Sequence, residues 1–145
     1  MAFFGVFGGE GGARSRFERR AEYLSSPTLH YSLDGKTALC YDGARTLEEL
    51  DFPMPSLFVA TAPRGDIKLG RITLATLYRR YGKHLRRYVS CPSSFALYDA
   101  KRGRLLLGGT HGEKCYIDET DGALFFSSDP TLLRAPTPID FGILK

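Results

Sequence analysis

The opening run Ala2-Phe3-Phe4-Gly5-Val6-Phe7 carries no polar side chain and does not alternate. A strand built from it is buried on both faces, so its sheet needs apolar cover on two sides. Gly8, Gly9, Gly11 and Gly12 around Glu10 then break the run, and read as a flexible connection. A dinucleotide-binding turn is not expected there: position 14 is Arg14 where the third glycine of GxGxxG would fall, and hairpins follow in place of a βαβ unit. The same run is too short, and lacks the basic lead, for a signal peptide. A spanning helix wants about 20 apolar residues. A soluble, cytoplasmic chain without membrane contact is the expectation.

At 145 residues, 43% hydrophobic and 25% charged, the chain is long enough to bury a core and is expected to be a single domain over 1–145. Twenty Lys and Arg against sixteen Asp and Glu leave a net charge of +4, which does not by itself make a nucleic-acid binder. Cys40, Cys91 and Cys115 are odd in number and widely spaced. That argues against a disulfide framework or zinc knuckle and makes reduced thiols the expectation. No metal or other cofactor is expected.

Residues 14–24 read as a helix, with Phe17, Ala21 and Leu24 on one stripe and Arg16, Arg19 and Arg20 on the other. Segments 29–33 and 36–41 flank Asp34-Gly35, a hairpin signal. Thr46-Leu47-Glu48-Glu49 is a capping-box pattern opening a short helix, and 57–61 is a further strand. The clearest helix spans 71–89. Leu74, Leu77, Tyr78, Tyr81, Leu85 and Tyr88 recur at three- and four-residue spacings, which places the tyrosines in the core. Gly82 inside it costs about 1 kcal/mol against Ala. The remainder reads as β: strands at 94–98, 104–108, 114–117 and 123–127, then a mostly irregular tail from about 130. About eight strands, mostly in hairpins, with two good helices make an α+β chain and not a doubly wound sheet. The expected core includes Phe4, Val6, Leu39, Phe58, Leu77, Tyr81, Leu85, Phe95, Leu97, Leu105, Leu107, Leu124 and Phe126.

Three stretches taken in order resemble a known pattern: Leu77-Tyr78-Arg79-Arg80-Tyr81-Gly82, then Ser94-Phe95-Ala96-Leu97-Tyr98-Asp99 with Arg104-Leu105-Leu106-Leu107, then Asp121-Gly122-Ala123-Leu124-Phe125-Phe126-Ser127-Ser128-Asp129. They are similar to the second half of class II glutamine amidotransferase domains, above all those fused to asparagine synthetases. Gly5-Val6-Phe7-Gly8 fits that family's opening strand. Lys36-Thr37-Ala38-Leu39-Cys40-Tyr41-Asp42-Gly43 fits its central strand entering an Asn-Gly turn. The resemblance covers 1 to about 133, shortened in the middle. It implies the Ntn-hydrolase fold, a four-layer αββα sandwich of antiparallel sheets.

Glutamine hydrolysis in that family needs a nucleophile, a base and an oxyanion hole. The resemblance implies a Cys directly after the initiator Met, with its own free α-amine as base; here that position is Ala2, which has no nucleophilic atom. The Asn-Gly turn that donates to the oxyanion is matched by Asp42-Gly43, and an ionised Asp only accepts hydrogen bonds. The substrate-holding Arg-His-Arg-Gly-Pro-Asp segment has no clean match, Ser25-Ser26-Pro27-Thr28-Leu29-His30 standing about where it should. The family's Arg-Asp pair after the hairpin reads Gly109-Thr110. Catalytic positions are lost while hairpin core positions survive. The resemblance therefore implies a domain without glutaminase activity, its degenerate site marked by Ala2, Asp42 and Gly43. Such a domain would serve as a scaffold or interaction module for an asparagine-synthetase-like partner chain, or for a second copy of itself. Degenerate domains of this kind precede synthetase domains in β-lactam synthetases and lasso-peptide cyclases.

Two other readings stay open. An active amidohydrolase could use a displaced nucleophile, Cys115 with His84 or His111 being one such pair, although Cys40 reads as a small buried hydrophobe. The basic cluster Arg79, Arg80, Lys83, Arg86 and Arg87 could meet an acidic partner or nucleic acid, against the plain alternative of a solvated helix face. Nucleic acid is not the expected partner, because the neighbouring tyrosines are assigned to the core. Asp99, Asp118, Glu119 and Asp121 read as solvated turn residues without an acid/base pairing.

Overall fold

Phe3 and Phe4, adjacent in the opening run, point to opposite faces of one strand, β1 (Phe3–Gly8), and both are buried. A computed structural model describes residues 2–8, 11–22, 28–31, 36–41, 57–63, 71–120 and 122–144. β1 lies inside a six-stranded antiparallel sheet. Its neighbours are β3 (Thr37–Tyr41), with β2 (Thr28–Tyr31) outside it, and β8 (Ala123–Ser127), followed by β7 (Cys115–Thr120) and β9 (Thr137–Ile139). The second sheet has four antiparallel strands, in the order β10 (Phe141–Leu144), β6 (Arg104–Thr110), β5 (Ser93–Asp99) and β4 (Leu57–Pro63).

The two-residue period of each strand sorts its side chains into three apolar layers. Between the sheets lie Phe3, Leu39, Leu124 and Phe126 from the six-stranded sheet against Ala60, Ala96, Tyr98, Leu105 and Leu107 from the four-stranded one. Outside the larger sheet, helix α1 (Gly11–Ala21) buries Ala13, Phe17 and Ala21 on Phe4, Val6, Ala38, Cys40 and Phe125. The Phe17 ring stacks 5.3 Å from that of Phe4. Outside the smaller sheet, helix α2 (Arg71–Tyr81) buries Leu74, Ala75 and Tyr78 on Val59, Phe95, Leu97 and Leu106. The result is an α+β sandwich in the layer order helix, sheet, sheet, helix, with little helix in it.

Several expectations change. α1 starts at Gly11, so Gly11 and Gly12 belong to the first helical turn, Gly9 and Glu10 lie outside the described residues, and the helix ends earlier than position 24. The long helix expected over 71–89 stops at Tyr81. Gly82, at φ 58°, takes the left-handed conformation that closes a helix, and residues Gly82–Tyr88 continue as a 3₁₀ stretch. Tyr81 and Leu77 are only half-buried, and Tyr88, beyond the break, is 50% exposed. The tail is not irregular: Asp140 lies between β9, which edges one sheet, and β10, which edges the other. Ten strands are present among the described residues. The Phe58 side chain and the short helix expected at 46–49 lie outside the described residues.

Candidate functional site

The head of β1 is where the resemblance would put a nucleophile. Ala2 precedes the strand and is half-buried. The turn after β8 clamps the next residue. Phe3 N–H donates to Ser128 Oγ (2.9 Å), and the Phe3 carbonyl accepts from the Ser128 N–H (3.1 Å) and from Ser127 Oγ (2.8 Å). Asp129 N–H in turn donates to Ser127 Oγ at 2.9 Å. Both hydroxyls are thereby engaged in holding backbone. Register pairs Phe3 with Tyr41 and Tyr41 with Thr28, so the end of β3 and the start of β2 arrive beside the head of β1. Asp42 and Gly43 follow Tyr41 and, like residues 25–27, lie outside the described residues. Residue 2 offers a methyl group and no lone pair or proton for acyl transfer.

The three thiols do not supply a substitute. Cys115 is fully buried between the sheets, and burial pushes its thiol up to about 12. Its Sγ faces the Ser127 carbonyl at 3.4 Å. Cys40 is buried under α1 and Cys91 under the smaller sheet's helical layer. His111 sits exposed in the β6–β7 turn, at φ 51°, with Nε2 2.7 Å from the Val89 carbonyl, and His84 is exposed on the 3₁₀ stretch. Neither is brought to Cys115.

Gly109 and Thr110, where the resemblance would put Arg and Asp, are both backbone-packing positions here. A Cβ at Gly109 would lie 1.8 Å from the Glu113 carbonyl oxygen, so the local fold excludes any side chain. Thr110 Oγ1 donates to the Cys91 carbonyl (2.6 Å) and accepts from the Ser93 N–H (3.1 Å).

Two of the carboxylates expected in solvated turns are buried. Asp99 ends β5 and is 2% exposed. It accepts from the Tyr78 hydroxyl (2.5 Å), the Arg102 guanidinium (3.1 Å) and the Lys101 and Arg102 amides, while Arg104 donates to Tyr78 Oη (3.0 Å). Burial alone would raise the Asp99 carboxyl, but donation by Tyr78 and Arg102 outweighs it and holds the group below its ordinary 3.8. Tyr78 moves the other way, above 10, chiefly through burial and then through its bond to Asp99. Asp118, in β7, accepts from the Arg134 and Ala135 amides (3.3 Å each) and anchors the tail. Nothing in the spacing of these residues marked their burial, because Tyr78 reaches Asp99 from α2, and Arg134 and Ala135 reach Asp118 from the tail. Glu119 is exposed, and Asp121 lies outside the described residues. Among the described residues no group of three potential metal ligands occurs.

Of the basic cluster, Arg79, Arg80, Lys83 and Arg87 are exposed. Arg86 is half-buried and structural: its Nε donates to the Gly109 carbonyl (2.9 Å) and its guanidinium lies 5.2 Å from the Phe141 ring centre. No described helix is long and apolar enough to cross a membrane.

No family model matches the sequence, and no curated protein matches it significantly. Among solved structures, the chain is similar to the glutamine phosphoribosylpyrophosphate (PRPP) amidotransferase from B. subtilis, solved in complex with ADP and GMP. The TM-score is 0.62 at 13% identity, over 96% of this chain and 44% of that one, so this chain spans less than half of that protein's length. At that identity the likeness is one of fold alone: the two-sheet sandwich described above resembles part of that protein.

Proposed function

We propose that the chain is a catalytically inactive class II glutamine-amidotransferase-like domain, acting as a scaffold or interaction module for a synthetase-type partner chain of the asparagine-synthetase kind. Ala2 carries the reading. In a fold shared with a glutamine amidotransferase, the position expected to hold the nucleophile has only a methyl group, and the nearby Ser127 and Ser128 hydroxyls are tied to the backbone of Phe3. Gly109, where an arginine is expected, has no room for a side chain. At position 42, where the resemblance implies an amide donor, the sequence has Asp42, and an ionised carboxylate there would oppose an oxyanion instead of stabilising it.

The purified protein is expected to release no ammonia from glutamine above background. A thiol reagent is expected to label Cys115 only on unfolding, since a thiol buried and raised to about 12 presents almost no thiolate at neutral pH. Turnover abolished by replacing Cys40, Cys91 or Cys115 would establish the alternative, an amidohydrolase with a displaced nucleophile, and overturn the proposal.

A further inference from the structure

The break at Gly82 has a consequence on the protein's surface. No Asp or Glu occurs between Asp66 and Asp99, a stretch that contains Arg79, Arg80, Lys83, His84, Arg86 and Arg87. Once the chain turns into the 3₁₀ stretch, Tyr88 folds back so that its ring stacks on that of Tyr81, centroids 3.5 Å apart and planes 9° from parallel. The Arg80 guanidinium lies 5.5 Å from the Tyr81 ring centre. Tyr88 remains 50% exposed, the most exposed large hydrophobic side chain among the described residues. Arg79, Lys83 and Arg87 are exposed and lie within two residues of Tyr81 or Tyr88 in the chain, and among the described residues no carboxylate pairs with them.

We propose that this surface, Tyr81 and Tyr88 with Arg79, Arg80, Lys83 and Arg87, binds a single-stranded polynucleotide. Separated cations next to an open aromatic face match a ligand that alternates phosphates with planar bases. An acidic peptide would use the cations and leave the ring without a partner. A duplex would satisfy the cations while keeping its bases stacked away from the tyrosine. Phosphate and base are common to RNA and DNA, so the sugar is not what the surface reads. Arg86 is not counted, being committed to the Gly109 carbonyl.

The test is fluorescence anisotropy of the purified full chain with labelled twelve-nucleotide oligo-U and oligo-dT, at increasing salt. A duplex of equal length and polyglutamate serve as competitors. Both strands are expected to bind, with log K falling linearly with log salt. Replacing Arg79 or Arg87 by Gln should each reduce the slope by about 0.7. Arg19→Gln, on α1 at the opposite outer layer, should leave it unchanged. Tyr88→Ala should weaken binding at least about fivefold, while Tyr88→Phe binds like the wild type. Tyr88→Leu, which keeps apolar bulk without a ring face, should weaken binding even if the Ala variant fails to fold. Absence of binding at low salt, equal competition by duplex or polyglutamate, or full affinity in Tyr88→Leu would each overturn the proposal. None of these outcomes bears on the glutaminase assay.

Discussion

Gly5 shows how closely single atoms are fitted in the middle of this sandwich. It faces the inter-sheet layer on β1, directly opposite Phe126 on β8 and Leu39 on β3. A Cβ there would lie 2.3 Å from Phe126 Cζ and 2.7 Å from the Ala38 carbonyl oxygen. The ring could turn aside, but the carbonyl belongs to the sheet ladder and cannot move without breaking pairing. Gly5→Ala is therefore expected to destabilise by more than the usual 1–3 kcal/mol of an overpacked core, read as a lower midpoint in urea unfolding. Phe126→Leu in the same chain should recover only part of the loss, because the backbone contact stays. Midpoints equal to wild type would show that β1 sits farther from β3 than the register requires. The glycine was visible in the sequence inside an apolar run, but its reason was not, since Phe126 lies far along the chain.

At the scale of elements, legibility follows the range of the contacts. β5 and β6 are neighbours in sequence, joined by a turn and paired from Ser93–Thr110 to Asp99–Arg104, and two short apolar runs on either side of a turn signal located both. β9 and β10 escaped because each is very short and finds its partner elsewhere, in β7 and β6. Pro138 argued against a strand, yet β9 is an edge strand, where a missing N–H costs nothing. The end of α2 escaped for a different reason. Spacings of three and four suit an α-helix, and the spacing of three also suits a 3₁₀ turn, so the apolar pattern runs on past Gly82 and places Tyr88 in a core it does not enter.

The lock between α2 and the β5–β6 hairpin belongs to the same scale. Asp99 has a carboxyl held below 3.8 in the folded protein, so its stabilising contribution is present at neutral pH and is lost as pH falls through that lowered value. Tyr78, raised above 10, contributes below that pH and loses its contribution as pH climbs toward the folded value. Asp99→Asn is expected to cost about 1.5–3 kcal/mol at pH 7, the range for hydrogen bonds to a charged group. The same variant should show a flatter stability profile below pH 4. Tyr78→Phe removes one donor and should return the acid midpoint toward that of an ordinary carboxylate. Arg102 is exposed, and its ion pair adds little. Chemical denaturation across pH 2–11 reads all three. An unchanged acid limb in Asp99→Asn would assign that limb to other carboxylates.

For the whole molecule, fold and site were legible to different degrees. The order of hairpins and helices pointed to an α+β chain, because layered packing constrains every second residue of a strand, and the sandwich came from the resemblance. The proposed site is legible only through what the resemblance leads one to expect at Ala2 and Asp42, since a position without a nucleophile leaves no pattern of its own. Buried groups such as Asp99 were misread as solvated because a sequence shows a turn but not what packs over it. The sharpest test of the proposed inactive site is to supply the atom the resemblance leads one to expect. Ala2→Cys, with residue 2 made N-terminal by removal of Met1, returns a nucleophile and an amine base to the head of β1. It does not return an amide donor at position 42, whose loss in comparable sites costs roughly 10²–10³ in turnover. It does not return a side chain at Gly109 either, and the Glu113 carbonyl leaves no room to add one. Ala2→Cys, alone or with Asp42→Asn, is therefore expected to fold with wild-type stability and to release no ammonia from glutamine above background. Reaction of the new thiol with a glutamine-like electrophile, without turnover, would still fit, because nucleophilicity needs neither oxyanion donors nor substrate anchoring. Sustained turnover from Ala2→Cys alone would mean that the other parts of the site survive, and that inactivity rests on a single residue.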